Sequence, residues 1–415
     1  MKRSFPNLLA RTFLLCAVLA LLLSYGIQTA AMLRDPLKRA SFDYLAFYTA
    51  GRIAQTQGIV HIYDLDLQRQ YAQTQFDFPI AEKQFLIYNH LPYLVPIFPS
   101  SFKQLEDYAS AYTVWILMLS ITMLVSITFL TKIIPTRLTT LKTTSIVLSS
   151  AAFLPIFTSL ANGQDTAYAL LGASIFTWGM LMGREAIAGA ALSLLTLRPQ
   201  LALFFIIPLL IWSRKALLSY LITSAALAAL SIGMLGWQGT LDYIHLLRIS
   251  ATGDWFGINE AAMYNVLGLL IRLFNSPGGM LTNWLPVSAG IEFFRQVAWG
   301  IYLAAMLLIG FFFARKTPGV PLENKFALAV IAALITNPHL HYHDLSLLTI
   351  PIFILMRHLA NLRMRSLEWT ILIPAVISIA MFILFIIPSD ALRYISVYLL
   401  MAILAYPLLI RNSQI

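Results

Sequence analysis

The sequence predicts an all-helical, polytopic membrane protein, and three observations carry that reading. Hydrophobic residues make up 59% of the 415 residues and charged residues 11%, with a mean hydropathy of +0.77, a balance too apolar for a water-facing surface. Apolar runs recur along the chain near the roughly 20 residues that a helix needs to cross a hydrocarbon core of about 30 Å. Lys and Arg gather in alternate turns between those runs, as the positive-inside bias requires. Together they predict a single transmembrane domain, residues 1–415, with about twelve spans and both termini cytoplasmic. The net charge of +10, from 28 Lys and Arg against 18 Asp and Glu, then belongs to topology, and no nucleic-acid partner is expected. A single cysteine, Cys16 in the first run, excludes an intrachain disulfide and a Cys-based zinc cluster.

The elements follow in order. Met1-Lys2-Arg3, an apolar run to Ile27 and Thr29-Ala30-Ala31 imitate a cleavable signal peptide, yet the run is long enough to span and be retained. Either way, the next segment lies outside. The inside turns carry Lys132, Arg137 and Lys142, then Arg184, Arg214 and Lys215, Arg315, Lys316 and Lys325, Arg357, Arg363 and Arg365, and finally Arg411.

Two outside segments are too long to be turns. The first, residues 31–108, holds Asp43 and Tyr63-Asp64-Leu65-Asp66. Its stretch Leu67 to Phe78 reads as an interfacial helix with Tyr71 and Phe76 towards lipid, and the prolines between Tyr88 and Pro99 forbid a regular span. The second, residues 237–294, holds Trp237, Asp254, Trp255 and Glu260, with a piece from Tyr264 to Phe274 too short to cross. Between them lie two short hairpins, 143–161 with 166–182 and 186–197 with 200–212. Their outer tips, Asn162-Gly163-Gln164-Asp165 and Arg198-Pro199-Gln200, are expected below the outer surface as a cavity floor.

Ionisable groups at membrane depth are costly, so they form the candidate site. On this topology Asp43, Arg52, Asp64, Asp66, Asn162, Gln164, Asp165, Arg198, Gln200, Glu260, Asn265 and the run Asn337-Pro338-His339-Leu340-His341-Tyr342-His343-Asp344 converge on one side. A carboxylate there can take a proton from an attacking hydroxyl while Arg and His stabilise a departing phosphate. Nucleotide donors are cytoplasmic, so an outward site implies a lipid-borne one. For Asp43 the plain alternative is a helix N-cap or a solvating loop residue, and for Arg198 it is pairing with Asp165 or Asp43. Asp64 and Asp66 form a D-x-D pattern, but hard cations need more oxygen ligands, and His341 with His343 leaves a zinc site incomplete, so no metal or cofactor is expected.

The same residues carry a resemblance. Phe42-Asp43 with Phe47 to Arg52, Gly58, Ile62-Tyr63-Asp64, the Tyr88 to Pro99 segment, Gly163-Gln164, Gly183-Arg184, Ala188-Gly189, Leu197 to Gln200, Tyr264 to Leu269 and Asn337 to Leu345 resemble glycosyltransferase family 87 in order and spacing, over roughly residues 40 to 355. These are GT-C-type enzymes related to polyprenyl-phosphate-mannose-dependent mannosyltransferases. The resemblance implies a GT-C-type fold and an inverting transfer from a polyprenyl-phosphate-linked sugar to a lipid or glycan acceptor, on the periplasmic face of a bacterial inner membrane. It makes Asp43 the catalytic base and Arg52, Tyr63, Asp64, Gln164, Arg198, Gln200, Asn265, His341, His343 and Asp344 the substrate-binding candidates. Position 198 is Arg where the family often has Lys, and the segment around His341 lacks the tryptophan-containing form of the actinobacterial mannosyltransferases, so the sugar stays open. Two other readings compete: an O-antigen polymerase or ligase, whose large outer loop usually comes late, and a lipid-carrier flippase, which would call for an internal repeat.

Overall fold

A computed structural model describes residues 5–35, 38–39, 43–80, 85–135, 138–252, 262–274, 291–315, 320–361, 367–386 and 390–409. All regular structure among them is helical. Helix α1 (Phe5–Arg34) enters the fold, and two short helices follow, α2 (Tyr44–Thr56) and α3 (Leu65–Gln73). Next come α4 (Tyr108–Thr131), α5 (Thr140–Ala151), α6 (Leu154–Ala161), α7 (Thr166–Leu181), α8 (Glu185–Leu192), α9 (Pro199–Trp212) and the long α10 (Arg214–Thr252). The chain continues through α11 (Val266–Phe274), α12 (Ile291–Ala314), α13 (Leu322–Thr336), α14 (Thr349–Asn361), α15 (Leu367–Ile386) and α16 (Asp390–Leu409).

Four helices among the described residues, α1, α4, α10 and α12, are long and apolar enough to cross a bilayer, or five crossings if α5 and α6 count as one bent span. The other apolar helices are shorter, and hydropathy alone cannot see the breaks that shorten them. Between α5 and α6 the axis turns by 62°. Pro155 sits in the first turn of α6, where its missing N–H costs nothing, so a helix can restart there at a new angle. Large apolar side chains such as Phe13, Leu117, Leu307 and Phe311 stand exposed on the outer faces of α1, α4 and α12. Hydrocarbon contact accounts for such faces; water would not. The chain is therefore a multi-pass membrane protein.

Basic side chains close helix ends. Lys325 is buried, and its Nζ donates to the carbonyls of Phe312 at 2.8 Å and Arg315 at 2.7 Å, the open C-terminal acceptors of α12. Arg357 Nη1 donates to Ile133 O at 2.6 Å just beyond α4. Arg137, Lys316, Arg363, Arg365 and Arg411 lie outside the described residues, as do Asp254, Trp255 and Glu260.

The segment between α1 and α4 is more deeply packed than its composition suggests. In α2 every residue from Tyr44 to Gly51 is buried, and a Cβ on Gly51 would overlap Ser100 Oγ, so the helix lies directly on the Pro99–Ser101 turn. The interfacial-helix expectation needs correction at Phe76: α3 ends at Gln73, and Phe76 is buried against Phe78 and Tyr108 instead of facing lipid. The chain reverses there through hydrogen bonds from Gln73 Nε2 to Phe78 O and from Ile80 N to Gln73 Oε1, which turn the aromatic pair inward. The stretch after Trp237 continues as the second half of α10, past a break at Gly236 with φ of 64°. Its Tyr243 ring packs on Tyr63 at 4.7 Å.

Candidate active site

The tip between α6 and α7 is built first by backbone. Gly163 has φ of +67°, and Gln164 N bonds Ser159 O at 2.9 Å, which ends α6 in a left-handed turn that favours glycine. Trp115 of α4 donates its indole N–H to Gly163 O at 2.8 Å, and Tyr112 donates to Ala161 O at 2.5 Å. A Cβ at Gly163 would come 2.7 Å from Tyr44 Cβ, so the start of α2 sits against this tip. Asp43, the residue before Tyr44, therefore opens a helix seated directly on this tip.

Arg198 is the centre of that floor. Its Nη2 lies 3.0 Å from Asp165 Oδ1 and donates to Gln164 Oε1 at 3.0 Å and Thr166 Oγ1 at 3.1 Å. Its Nε donates to Asp344 Oδ1 at 3.1 Å, an oxygen that Thr166 also reaches at 3.3 Å. Nη1 lies 3.3 Å from His90 Nδ1. That nitrogen is closer, 2.8 Å, to Asp165 Oδ2, so its proton goes to the carboxylate and Nη1 is the least committed end of the guanidinium. One cation thus joins both hairpin tips and the segment after α13.

Burial alone would raise the Asp165 carboxyl, but Arg198 and His90 outweigh it and hold the group below the usual carboxylate range. For Asp344 burial is outweighed by His343, by Arg198 and by the His341 backbone N–H, which reaches Oδ2 at 3.0 Å. The rings of His339, His341 and His343 follow one another at 4.9 and 5.7 Å. Burial, with His343 beside it, pushes His341 down to about 4, so this imidazole is neutral at neutral pH.

Asp43 occupies the N-cap position of α2 with helical φ and ψ, but its side chain makes no cap hydrogen bond. Among the described residues that half-buried carboxylate is hydrogen-bonded to nothing, while its charge is felt by Arg198 and His341. The Asp43 side chain therefore does not cap α2. Asp64 is the contrasting case, since its Oδ1 accepts from Asp66 N at 2.9 Å and Leu67 N at 3.1 Å and caps α3.

The remaining candidates separate into those that join the cluster and those that hold its walls. Gln164, Arg198, His341, His343 and Asp344 belong to it. Tyr63 supports it by donating to His90 O at 2.6 Å. Asn265 caps α11 through Gly268 N at 2.8 Å and ties Asn337 O at 2.8 Å, which anchors the histidine-bearing segment. Gln200 takes Tyr302 OH on its backbone carbonyl at 2.5 Å. Arg52, in the last two turns of α2, faces Glu106 at 3.4 Å and bonds Gln55, away from the cluster. Sequence reasoning passed over His90 and Thr166. A histidine between prolines and aromatics in a stretch that cannot span is the signal that His90 offered.

Fold and site together define a multi-pass helical membrane protein with a polar, largely buried cluster where its helix tips meet. The family model of glycosyltransferase family 87 matches residues 92–338, more than half of the chain, and the chain belongs to that family. It is a membrane glycosyltransferase, with a sugar donor and an acceptor as its substrates. No curated protein and no solved structure matches it. A flippase is set aside by this membership.

Proposed function

We propose that the enzyme transfers a sugar from a polyprenyl-phosphate carrier to a lipid or glycan acceptor, with inversion and without a metal, at the periplasmic face of a bacterial inner membrane. About twelve crossings fit this reading if the shorter apolar helices cross in company with their neighbours. The observation that carries it is the Asp43 carboxylate, which has no structural hydrogen bond to make and stands within electrostatic reach of Arg198 and His341.

In the reaction the acceptor hydroxyl gives its proton to Asp43 as its oxygen bonds the anomeric carbon. The bond from that carbon to the carrier phosphate breaks, and the electron pair leaves on the phosphate. His341 and His343 border the phosphate. Arg198 supplies a fixed positive charge beneath it through Nη1, since its other donors hold Asp165, Asp344, Gln164 and Thr166. Gln164 and Gln200 line the two tips, while Tyr63, Asp64 and Asn265 keep the walls in place. Arg52 meets the donor at most from the rim, beside Glu106.

The donor class is tested by offering purified enzyme in lipid vesicles radiolabelled polyprenyl-phosphate sugars and the matching nucleotide sugars. Transfer from a lipid-linked sugar alone is expected. Transfer from a nucleotide sugar would overturn the proposal.

A further inference from the structure

We propose that His90 is a further catalytic residue, held at Nδ1 by Asp165 and turning Nε2–H to the phosphate of the departing carrier. The inference rests on the donor class proposed above.

Four observations place it. First, the ring lies between Phe47 at 4.8 Å and Tyr88 at 5.6 Å, and Tyr63 fixes its backbone carbonyl, so its position is set on several sides. Second, Phe47, which packs on His90, follows Asp43 by four residues at the start of α2, one helical turn along, so the ring rests on the first turn of the helix that Asp43 opens. Third, Asp165 is fully buried and its Oδ2 lies 2.8 Å from Nδ1, the arrangement in which a carboxylate fixes the orientation of an imidazole. Fourth, Nε2 bonds no described residue and is not sealed from solvent, and the side chain keeps 14% of its surface open.

Charge supplies the reason. Asp43, Asp165 and Asp344 face one guanidinium whose N–H groups are mostly spent, and a carrier phosphate adds further negative charge. His341 is neutral at working pH and does not balance it. Donating to Asp165 and to the phosphate together takes both ring N–H groups, so His90 is an imidazolium in the complex with the phosphate, and such charge-assisted bonds are the strong ones. His90 transfers no proton in the step. It donates a hydrogen bond to the oxygen on which charge develops.

The test uses full-length protein in detergent and two probes, a polyprenyl phosphate without sugar and the corresponding polyprenol. His90→Ala is expected to weaken binding of the phosphate by about tenfold to a hundredfold, the range for hydrogen bonds to charged groups, and to leave polyprenol binding unchanged. His90→Gln, which keeps an N–H near the Nε2 position, should recover much of the loss, and added imidazole should restore turnover to His90→Ala. Asp165→Asn, which keeps a polar contact to His90, should weaken phosphate binding in the same direction. Phosphate binding unchanged in His90→Ala overturns the role of His90 alone, and equal loss of both lipids shows a structural role instead. Failure of the wild type to prefer the phosphate over polyprenol overturns this inference and the donor class together.

Discussion

Arg198 holds two buried carboxylates at once, and taking it away strands both. Arg198→Met should therefore cost about 3–5 kcal/mol, the usual loss when one partner of a buried ion pair is removed. Combining it with Asp165→Asn and Asp344→Asn should recover a large part, since no unpaired charge then remains; thermal unfolding in detergent measures both. Arg198→Lys should fall between, because an ammonium is a point charge without the fork that reaches Asp165 and Asp344 together. In the sequence Arg198 stood out as a cation on the wrong side of a hairpin, and Asp165 was open as its partner. Asp344 as the second partner, and His90 beside them, were not legible, because they come from segments 146 and 108 residues away that only the tertiary fold brings together.

At the scale of elements, the two short hairpins and their tips were legible from apolar runs interrupted by Asn, Gly, Arg and Pro. How α2 is seated was not, since a helix made of Tyr, Phe, Ala and Thr reads equally as a surface loop. The seat is Gly163 against Tyr44. Gly163→Ala combines a positive φ with a Cβ 2.7 Å from Tyr44 Cβ, and overpacking of that kind typically costs about 1–3 kcal/mol. Because the displaced element carries Asp43, activity should fall more than stability does. Comparing transfer rates at a temperature where both proteins are folded checks this; equal activity would show that α2 does not depend on the tip. The span count was the least legible feature, since hydropathy averages across breaks such as the one before Pro155 and cannot say whether two short helices make one crossing.

For the molecule as a whole, the buried polar cluster predicts how stability varies with pH. His341 stays neutral in the fold down to about 4, whereas an unfolded chain protonates histidine below about 6.5. The unfolded state therefore binds more protons between those values, and stability should decline as pH falls from about 6.5 to 4 and level off above. Asp165 and Asp344 act lower, their contribution being present above an unfolded carboxylate value of about 3.9 and lost on further acidification. Thermal unfolding across this range should show the decline, and His341→Gln should flatten its upper part. A melting temperature indifferent to pH between 4 and 6.5 would show that the cluster admits protons freely.

The role of Asp43 as the base is measured most directly by transfer from a polyprenyl-phosphate sugar by Asp43→Asn against wild type at equal protein level. General-base catalysis is worth about 10² to 10⁴ in rate, so the variant should lose that much while keeping its melting temperature and its affinity for the donor. Undiminished transfer by a folded Asp43→Asn would show that Asp43 is not the base.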